Sequence, residues 1–157
     1  MVNKEFEKIL VPFDGSEYSK RAATKAISIG KKFNSEIIFI TAVSAESIPS
    51  PSQSLGIFKK DKKLEKIFHE MICTMRIEIT KMLKEQIAKC KKNEIKGDYK
   101  IMEGDAVKSI LQFAKKYHPD LIVLGSHGLT GLSKIKALGS VSRNISELAK
   151  CPVMIVK

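Results

Sequence analysis

Several residue patterns that mark particular classes of protein are missing from this chain. It has no tryptophan, and its three cysteines, Cys73, Cys90 and Cys151, lack the paired spacing of a metal site. An odd number of thiols also fits a reducing compartment better than a disulfide framework. The apolar runs are too short to span a bilayer, and the N-terminus lacks the basic, apolar and small-residue order of a signal peptide. We therefore expect a cytoplasmic protein with no membrane span.

Arginine is scarce although the chain is strongly basic. The formal net charge is +11, yet arginine occurs only at Arg21, Arg76 and Arg143, and no aromatic residues alternate with the lysines. Surfaces that bind nucleic acids combine their cations with aromatic side chains or with arginines that contact bases. The lysines are better explained as solvated helix faces, so specific nucleic-acid binding is not expected. Binding of RNA without specificity stays an alternative, and a steep dependence of affinity on salt would identify it.

Short apolar segments alternate with helical ones along the whole chain. The expected strands cover residues 8–13, 37–43, 99–102, 121–124 and 152–156. The expected helices carry the stripe from Ala22 to Gly30 and end at Asn34, run from about Asp61 to Lys92, follow a cap at Asp105, and run from Ser140 to Ala149. This order predicts one domain over residues 1–157. Its fold would be a Rossmann-like α/β sandwich, with a five-stranded, mainly parallel sheet and helices on both faces.

The long central helix carries many large apolar residues at helical spacing. They form one predicted face: Leu64, Ile67, Phe68, Met71, Ile72, Met75, Ile79, Met82, Leu83 and Ile87. Methionines on such a stripe more often fill a hydrophobic core than form a binding surface, so we expect these methionines to be core residues. The preceding residues 44–56 are rich in serine and contain proline and glycine, which predicts a flexible surface loop.

The glycines near the C-terminus form the most specific local pattern. Gly125-Ser126-His127-Gly128 directly follows a strand-like run, and Gly139-Ser140-Val141-Ser142 opens a helix. Unpaired N–H groups and the positive end of a helix dipole bind anions at such a point, which favours a phosphate site. The spacing matches neither the Walker loop nor the dinucleotide fingerprint.

Three segments are expected to meet at one edge of the predicted sheet. They are residues 12–14, 42–44 and 125–128, each of which follows or ends a strand. In open parallel sheets, ligands bind outside the carboxyl ends of the strands, at the point where the strand order reverses. The sequence therefore predicts one crevice at this edge.

Four stretches of the sequence resemble the nucleotide-binding branch of the universal stress protein family. They are ILVPFDGSEYSKRA, DLIVLGSHGLTGL, GSVSRNI and CPVMIVK, and the similarity extends over essentially the whole chain. The chain departs from the family pattern at two points. Ten residues separate Gly128 from Gly139, where the family has nine, and Ala42 stands where the family usually has valine.

The resemblance implies a ligand, a set of contacts and an assembly. The implied nucleotide-binding residues are Pro12, Phe13, Asp14, Ala42, Val43, Leu124, Gly125, His127, Gly128, Gly139, Ser140, Val141 and Ser142. Residues at the strand ends would surround adenine and ribose, while residues 139–142 would hold the phosphate tail. ATP or AMP is the implied ligand, with Mg²⁺ or Mn²⁺ carried by its phosphates. A homodimer would form through the last strand. The sequence itself shows no carboxylate pair and no cluster of metal ligands, so we expect no catalytic residue and no protein metal site, and any hydrolysis would be slow or would depend on a partner.

Each of these assignments has a structural alternative. Asp14 could only cap a helix, Gly125 and Gly128 could only form a tight strand exit, and the His127 ring could pack without touching a ligand. Ser142 could be a solvated hydroxyl. The chain as a whole could be a dimeric interaction module of the same fold that binds no nucleotide.

Overall fold

Five strands and four helices alternate in the computed structural model, which describes residues 5–43, 62–129 and 137–157. The strands are β1 (Lys8–Pro12), β2 (Glu36–Val43), β3 (Gly97–Glu103), β4 (Leu121–Gly125) and β5 (Val153–Val156). The helices in the described part are α1 (Glu17–Phe33), α2 (Lys62–Lys92), α3 (Ala106–Tyr117) and α4 (Ser140–Leu148). The predicted alternation is confirmed. The predicted loop over residues 44–56 lies outside the described residues.

The sheet has the strand order β3-β2-β1-β4-β5, and every neighbouring pair is parallel. β1 lies in the middle, with Pro12 opposite Ile40 of β2 and Ile9 opposite Leu121 of β4. The chain first builds outward from β1 through β2 to β3 and then returns to the other side of β1. The order therefore reverses between β1 and β4, where the crevice is predicted.

Side chains alternate between the two faces of the sheet and build a separate core on each face. Ile9 and Val11 of β1 pack toward α1 and α2, in a cluster that includes Phe39 and Leu83. The residue between them, Leu10, packs on the opposite face with residues of α3 and α4. This strict alternation follows from the period of two in a strand. It gives the predicted sandwich, with helices on both faces.

Polar residues fix the ends of the helices that flank the sheet. Ser16 is the N-cap of α1, and its side chain accepts a hydrogen bond from the N–H of Ser19. Asn34 ends α1 in the left-handed conformation with φ 55°, as its position after the apolar stripe predicts. Asp105 caps α3 by accepting from the N–H of Lys108, which confirms that prediction. The cap of α1 is thus Ser16, and Asp14 is not a cap.

The prediction that the methionines of α2 fill a hydrophobic core is confirmed for Met82, which packs against the core, and is wrong for Met71. Ile67 is 53% exposed and Met71 49%, whereas Leu83 in the C-terminal half is fully buried. The reason is length: 31 residues of helix extend about 46 Å, while the seven residues of β3 extend about 23 Å. The helix therefore projects past the sheet that could cover it.

None of the helices in the described ranges is long and apolar enough to cross a membrane.

Candidate functional site

A cleft opens at the carboxyl ends of β1, β2 and β4, where the strand order reverses. Its walls bound about 550 Å³ of space, part of it open to solvent. The lining residues are Pro12, Phe13, Asp14, Ser19, Ile40, Thr41, Ala42, Ala106, Ile110, Leu124, Gly125, His127, Gly128, Val141 and Ser142. Space of this order, with apolar walls and a few polar groups, is typical of a small-molecule site.

Most residues implied by the family resemblance meet in this cleft, and three do not line it. Val43 lies opposite Glu103 on the β3 side of the sheet, while Gly139 and Ser140 lie at the start of α4 next to the lining residues Val141 and Ser142. The cleft also contains residues that sequence reasoning missed. These are Ser19, Ile40, Thr41, Ala106 and Ile110.

Thr41 is the missed residue that the sequence could have indicated, because it is the one polar residue in the apolar run 37–43. It is 8% exposed, and its Oγ1 donates a hydrogen bond of 2.6 Å to the carbonyl oxygen of Phe13. A buried hydroxyl needs such a partner. This bond fixes the point at which the chain leaves β1 and turns over the cleft.

The backbone of Ala42 presents a donor and an acceptor at the end of β2. Along a parallel strand, successive residues direct their N–H and C=O groups to opposite neighbours. The N–H of Phe13 in the β1 segment donates to Ile40 O at 2.8 Å, and the N–H of Gly104 after β3 donates to Val43 O at 2.9 Å. Both polar groups of Ala42 therefore face the β1 side, at the point where β1 has already ended.

Asp14 is held by the two loops between which it lies. Its Oδ1 accepts from the N–H of Ser16 at 2.9 Å, and its Oδ2 accepts from the N–H of Leu129 at 3.1 Å. The carboxylate thus links the exit of β1 to the exit of β4. A half-buried carboxylate in this position has remaining lone pairs for hydroxyl groups of a ligand.

Gly125, the last residue of β4, and Gly128, in the loop after it, each make a close contact within the protein. A Cβ at Gly125 would lie 2.6 Å from the carbonyl carbon of Tyr18 and 2.9 Å from the nitrogen of Ser19, so β4 passes directly against the backbone of α1. A Cβ at Gly128 would meet Asp14 Oδ2 at 2.8 Å. Gly125 permits helix packing, whereas Gly128 leaves room for the carboxylate in the cleft.

The imidazole of His127 is engaged at both nitrogens. Nδ1 lies 3.0 Å from Ser126 Oγ, and Nε2 lies 2.7 Å from the carbonyl oxygen of Ala137. The ring also packs against Tyr18, with 5.1 Å between the ring centroids. The residue lines the cleft, but its ring joins Ser126 to Ala137. These two residues lie near the two ends of the segment between β4 and α4, which is called the glycine loop below.

Ser142 does not have a free hydroxyl to offer a phosphate. It is 3% exposed, and its Oγ lies 2.9 Å from Gly125 O and 3.0 Å from Ser126 O. A serine hydroxyl has a single proton to donate, and here it is directed at these carbonyls. The expectation that Ser142 donates to phosphate is therefore replaced by a different role, because this contact ties α4 to the end of β4. The alternative of a solvated hydroxyl is also wrong.

The N-terminus of α4 adjoins the cleft, because Val141 and Ser142 of its first turn line it. Gly139 is its N-cap and makes no side-chain capping bond, and the first helical bond runs from Arg143 N to Gly139 O. The N–H of Gly139 itself donates to Ser126 O at 2.9 Å, so it is already used. The N–H groups of Ser140 and Val141 open the helix and carry its positive dipole end.

The titratable groups with displaced pKa values lie away from the cleft. Burial raises the pKa of the Cys90 thiol to about 11 and also raises that of Cys151. A thiol with so high a pKa stays protonated at neutral pH and is a poor nucleophile. Both thiols pack in the hydrophobic cores, which fits a structural role.

Comparison with known proteins gives consistent matches over the whole chain. The model of the universal stress protein family matches residues 5–157. Universal stress protein MJ0531 of Methanocaldococcus jannaschii is 34% identical over 152 residues, which cover 97% of this chain and 82% of that protein. Universal stress protein YxiE of Bacillus subtilis is 32% identical, with 97% of this chain and 99% of that protein covered.

Solved structures with the same fold include two that are 25% identical to this chain. The structure of MJ0577 from Methanocaldococcus jannaschii superimposes with a TM-score of 0.81 and covers 98% of this chain and 96% of that one. A universal stress protein in complex with cAMP superimposes with a TM-score of 0.64, with 96% of each chain covered.

Proposed function

The chain belongs to the universal stress protein family, and from this premise we propose that it binds an adenine nucleotide, AMP or ATP, and acts as a nucleotide-dependent sensor or switch in a stress response. The observation that carries the proposal is the meeting of three kinds of group in one cleft. They are the backbone N–H and C=O groups of Ala42, called its backbone pair below, the carboxylate of Asp14 and the N-terminus of α4. The cAMP bound by a structurally similar family member supports an adenine nucleotide as the ligand class.

The apolar end of the cleft suits the base. Ile40, Ala42, Ala106 and Ile110 supply its apolar walls. Adenine offers an acceptor at N1 next to a donor at its 6-amino group, which complements the N–H and C=O of Ala42. Guanine has the reverse arrangement, with a donor at N1 and an acceptor at O6. The backbone pair therefore supports selection of adenine over guanine.

The polar end of the cleft suits the ribose and the phosphates. Asp14 can accept hydrogen bonds from ribose hydroxyls, and the N–H groups of Ser140 and Val141 can donate to phosphate at the positive end of α4. Hydrogen bonds to charged groups contribute about 1.5–3 kcal/mol each. Three or four of them supply a large part of the roughly 8 kcal/mol that micromolar affinity requires.

The proposal assigns binding to the cleft and no catalytic residue. In the described part of the chain, no three His, Cys, Asp or Glu residues are grouped so that they could hold a metal ion. A Mg²⁺ or Mn²⁺ ion would accordingly be bound by the phosphates of the nucleotide. Any hydrolysis of ATP would be slow or would depend on a partner.

Calorimetric titration should give micromolar affinity for AMP and at least a roughly tenfold weaker affinity for GMP, because guanine reverses both bonds to Ala42. Ala42→Val is the matched control, since it adds two methyl groups to the wall of the base pocket and leaves the backbone pair unchanged. We expect it to strengthen binding of both nucleotides and to leave their affinity ratio unchanged. Mass spectrometry of small molecules released by heat identifies the nucleotide that copurifies.

Equal affinity for AMP and GMP would show that the backbone pair of Ala42 does not select the base. No binding of either nucleotide would favour the alternative, a dimeric interaction module of the same fold. That alternative is supported by the internal contacts of three site residues. Gly125 packs against α1, and the side chains of His127 and Ser142 bond to backbone carbonyls of the protein itself.

We expect a homodimer through the outer edge of β5. Ile122 and Ser126 of the β4 segment donate to Pro152 O and Val156 O, so the polar groups of Ile155 face away from the sheet. An apolar edge with free N–H and C=O groups favours pairing with a second strand. Light scattering should give about 35 kDa, twice the chain mass of 17.5 kDa.

Ile155→Pro removes an outward N–H and leaves the bonds to β4 intact, so it should shift the mass toward that of the monomer. A monomeric wild-type protein at high micromolar concentration would contradict the proposed interface.

A further inference from the structure

The hydrogen bonds of the His127 imidazole assign its protons. The carbonyl oxygen of Ala137 is only an acceptor, so Nε2, at 2.7 Å from it, must carry a hydrogen. In the neutral ring, Nδ1 is then an acceptor, and the hydroxyl of Ser126 donates to it at 3.0 Å. The partner of Nε2 thus places a hydrogen on that nitrogen, and in the neutral ring this is the Nε2–H tautomer. Both nitrogens are satisfied within the protein.

Residues next to His127 also hold the start of α4, where the glycine loop ends. The ring of His127 binds Ala137, and two residues further along the N–H of Gly139 donates to Ser126 O at 2.9 Å. Ser142 adds its contact to the same carbonyl at 3.0 Å. The start of α4 is therefore held against the exit of β4 by bonds from both sides, and the His127 ring supplies the first of them.

We infer that His127 is a positioning residue that sets the N-terminus of α4 for a phosphate group, so that the site favours phosphorylated adenosine over adenosine itself. The inference rests on the proposed function. The ring acts through Ala137 and does not touch the ligand. Adenine and ribose are held at the ends of β1 and β2, whereas the two ring nitrogens of His127 bond to Ser126 and Ala137 in the segment between β4 and α4. A defect in the ring should therefore weaken the phosphate contacts selectively.

Two substitutions distinguish the contribution of the N–H donor of His127 from that of its aromatic ring. His127→Phe keeps a ring against Tyr18 and loses the donor to Ala137, whereas His127→Gln loses the ring and retains an N–H donor near the position of Nε2. By calorimetry, His127→Phe should lower the affinities for AMP and ATP about fivefold to tenfold, the effect of one hydrogen bond. Its affinity for adenosine should stay within about twofold. His127→Gln should recover most of the loss.

Measurements on the nucleotide-free protein test the positioning role separately. The ¹⁵N chemical shifts of His127 should identify the Nε2–H tautomer, and the amide of Gly139 should exchange with solvent faster in His127→Phe than in wild type. The inference is overturned by an Nδ1–H tautomer, by equal losses for adenosine and AMP, or by failure of His127→Gln to restore the AMP affinity. If the wild-type protein binds no adenine nucleotide, the proposed function fails, and normal Gly139 exchange in His127→Phe would then overturn the positioning role as well.

Discussion

Gly128→Ala is expected to weaken AMP binding about 10- to 100-fold while the protein stays folded. The new Cβ would lie 2.8 Å from Asp14 Oδ2, so the carboxylate must shift from the position it has in the cleft. Alanine itself suits the backbone, because the described glycines with positive φ are Gly15 and Gly104. The loss corresponds to one or more hydrogen bonds to a charged group. Calorimetry measures the affinity, and circular dichroism checks the fold.

A double-mutant cycle tests whether Gly128 acts through Asp14. Asp14→Ala alone should weaken AMP binding by a similar factor, because it removes the same carboxylate. Adding Gly128→Ala to Asp14→Ala should then cost little more, since residues that act through one group are not additive. Fully additive losses would contradict this mechanism and would mean that the two residues contact the ligand independently.

The central strands could be predicted from local composition, whereas the edge strand β3 could be predicted only in part. Residues 37–43 are almost continuously apolar because β2 is covered on both faces, and they match β2 within one residue. β3 extends from Gly97 to Glu103, two residues earlier and one later than predicted. Edge strands are partly solvated, so Asp98 and Lys100 interrupt the apolar signal there.

The outline of the site could also be predicted, because it depends on where strands end. The parallel order brings Pro12, Ala42 and Gly125 to one edge, as expected from the sequence. Ala106 and Ile110 could not be predicted, since they reach the cleft only through the path of the chain from β3 into α3. No local pattern in α3 marks a residue for a wall formed with distant strands.

The individual roles of the loop residues depend on contacts between segments that are far apart in the sequence. The glycine pattern predicts backbone close to phosphate, and it does not reveal that α1 passes within contact of Gly125. Nor does the pattern reveal that the Ser142 hydroxyl donates to the carbonyl oxygen of Gly125 at the end of β4. These residues shape the site by holding its parts together.

Gly125→Ala is accordingly expected to destabilise the protein by about 3 kcal/mol, at the upper end of the usual cost of overpacking. The Cβ would lie 2.6 Å from the carbonyl carbon of Tyr18 and 2.9 Å from the nitrogen of Ser19. Both atoms belong to the backbone of α1, which cannot move aside as a flexible side chain can. For a chain of this size, the melting temperature should fall by roughly 6–12 °C.

Gly30→Ala is the matched control, because the nearest atom to its Cβ is Ile37 Cδ1 at 3.0 Å, the end of a flexible side chain. Its melting temperature should stay within about 4 °C of the wild type, since alanine also improves the helix by up to about 1 kcal/mol. Below its melting temperature, Gly125→Ala should still bind AMP, because Gly125 serves the packing of α1 against β4. Unchanged stability together with lost binding would show instead that Gly125 approaches the phosphates directly, and the packing explanation would be wrong.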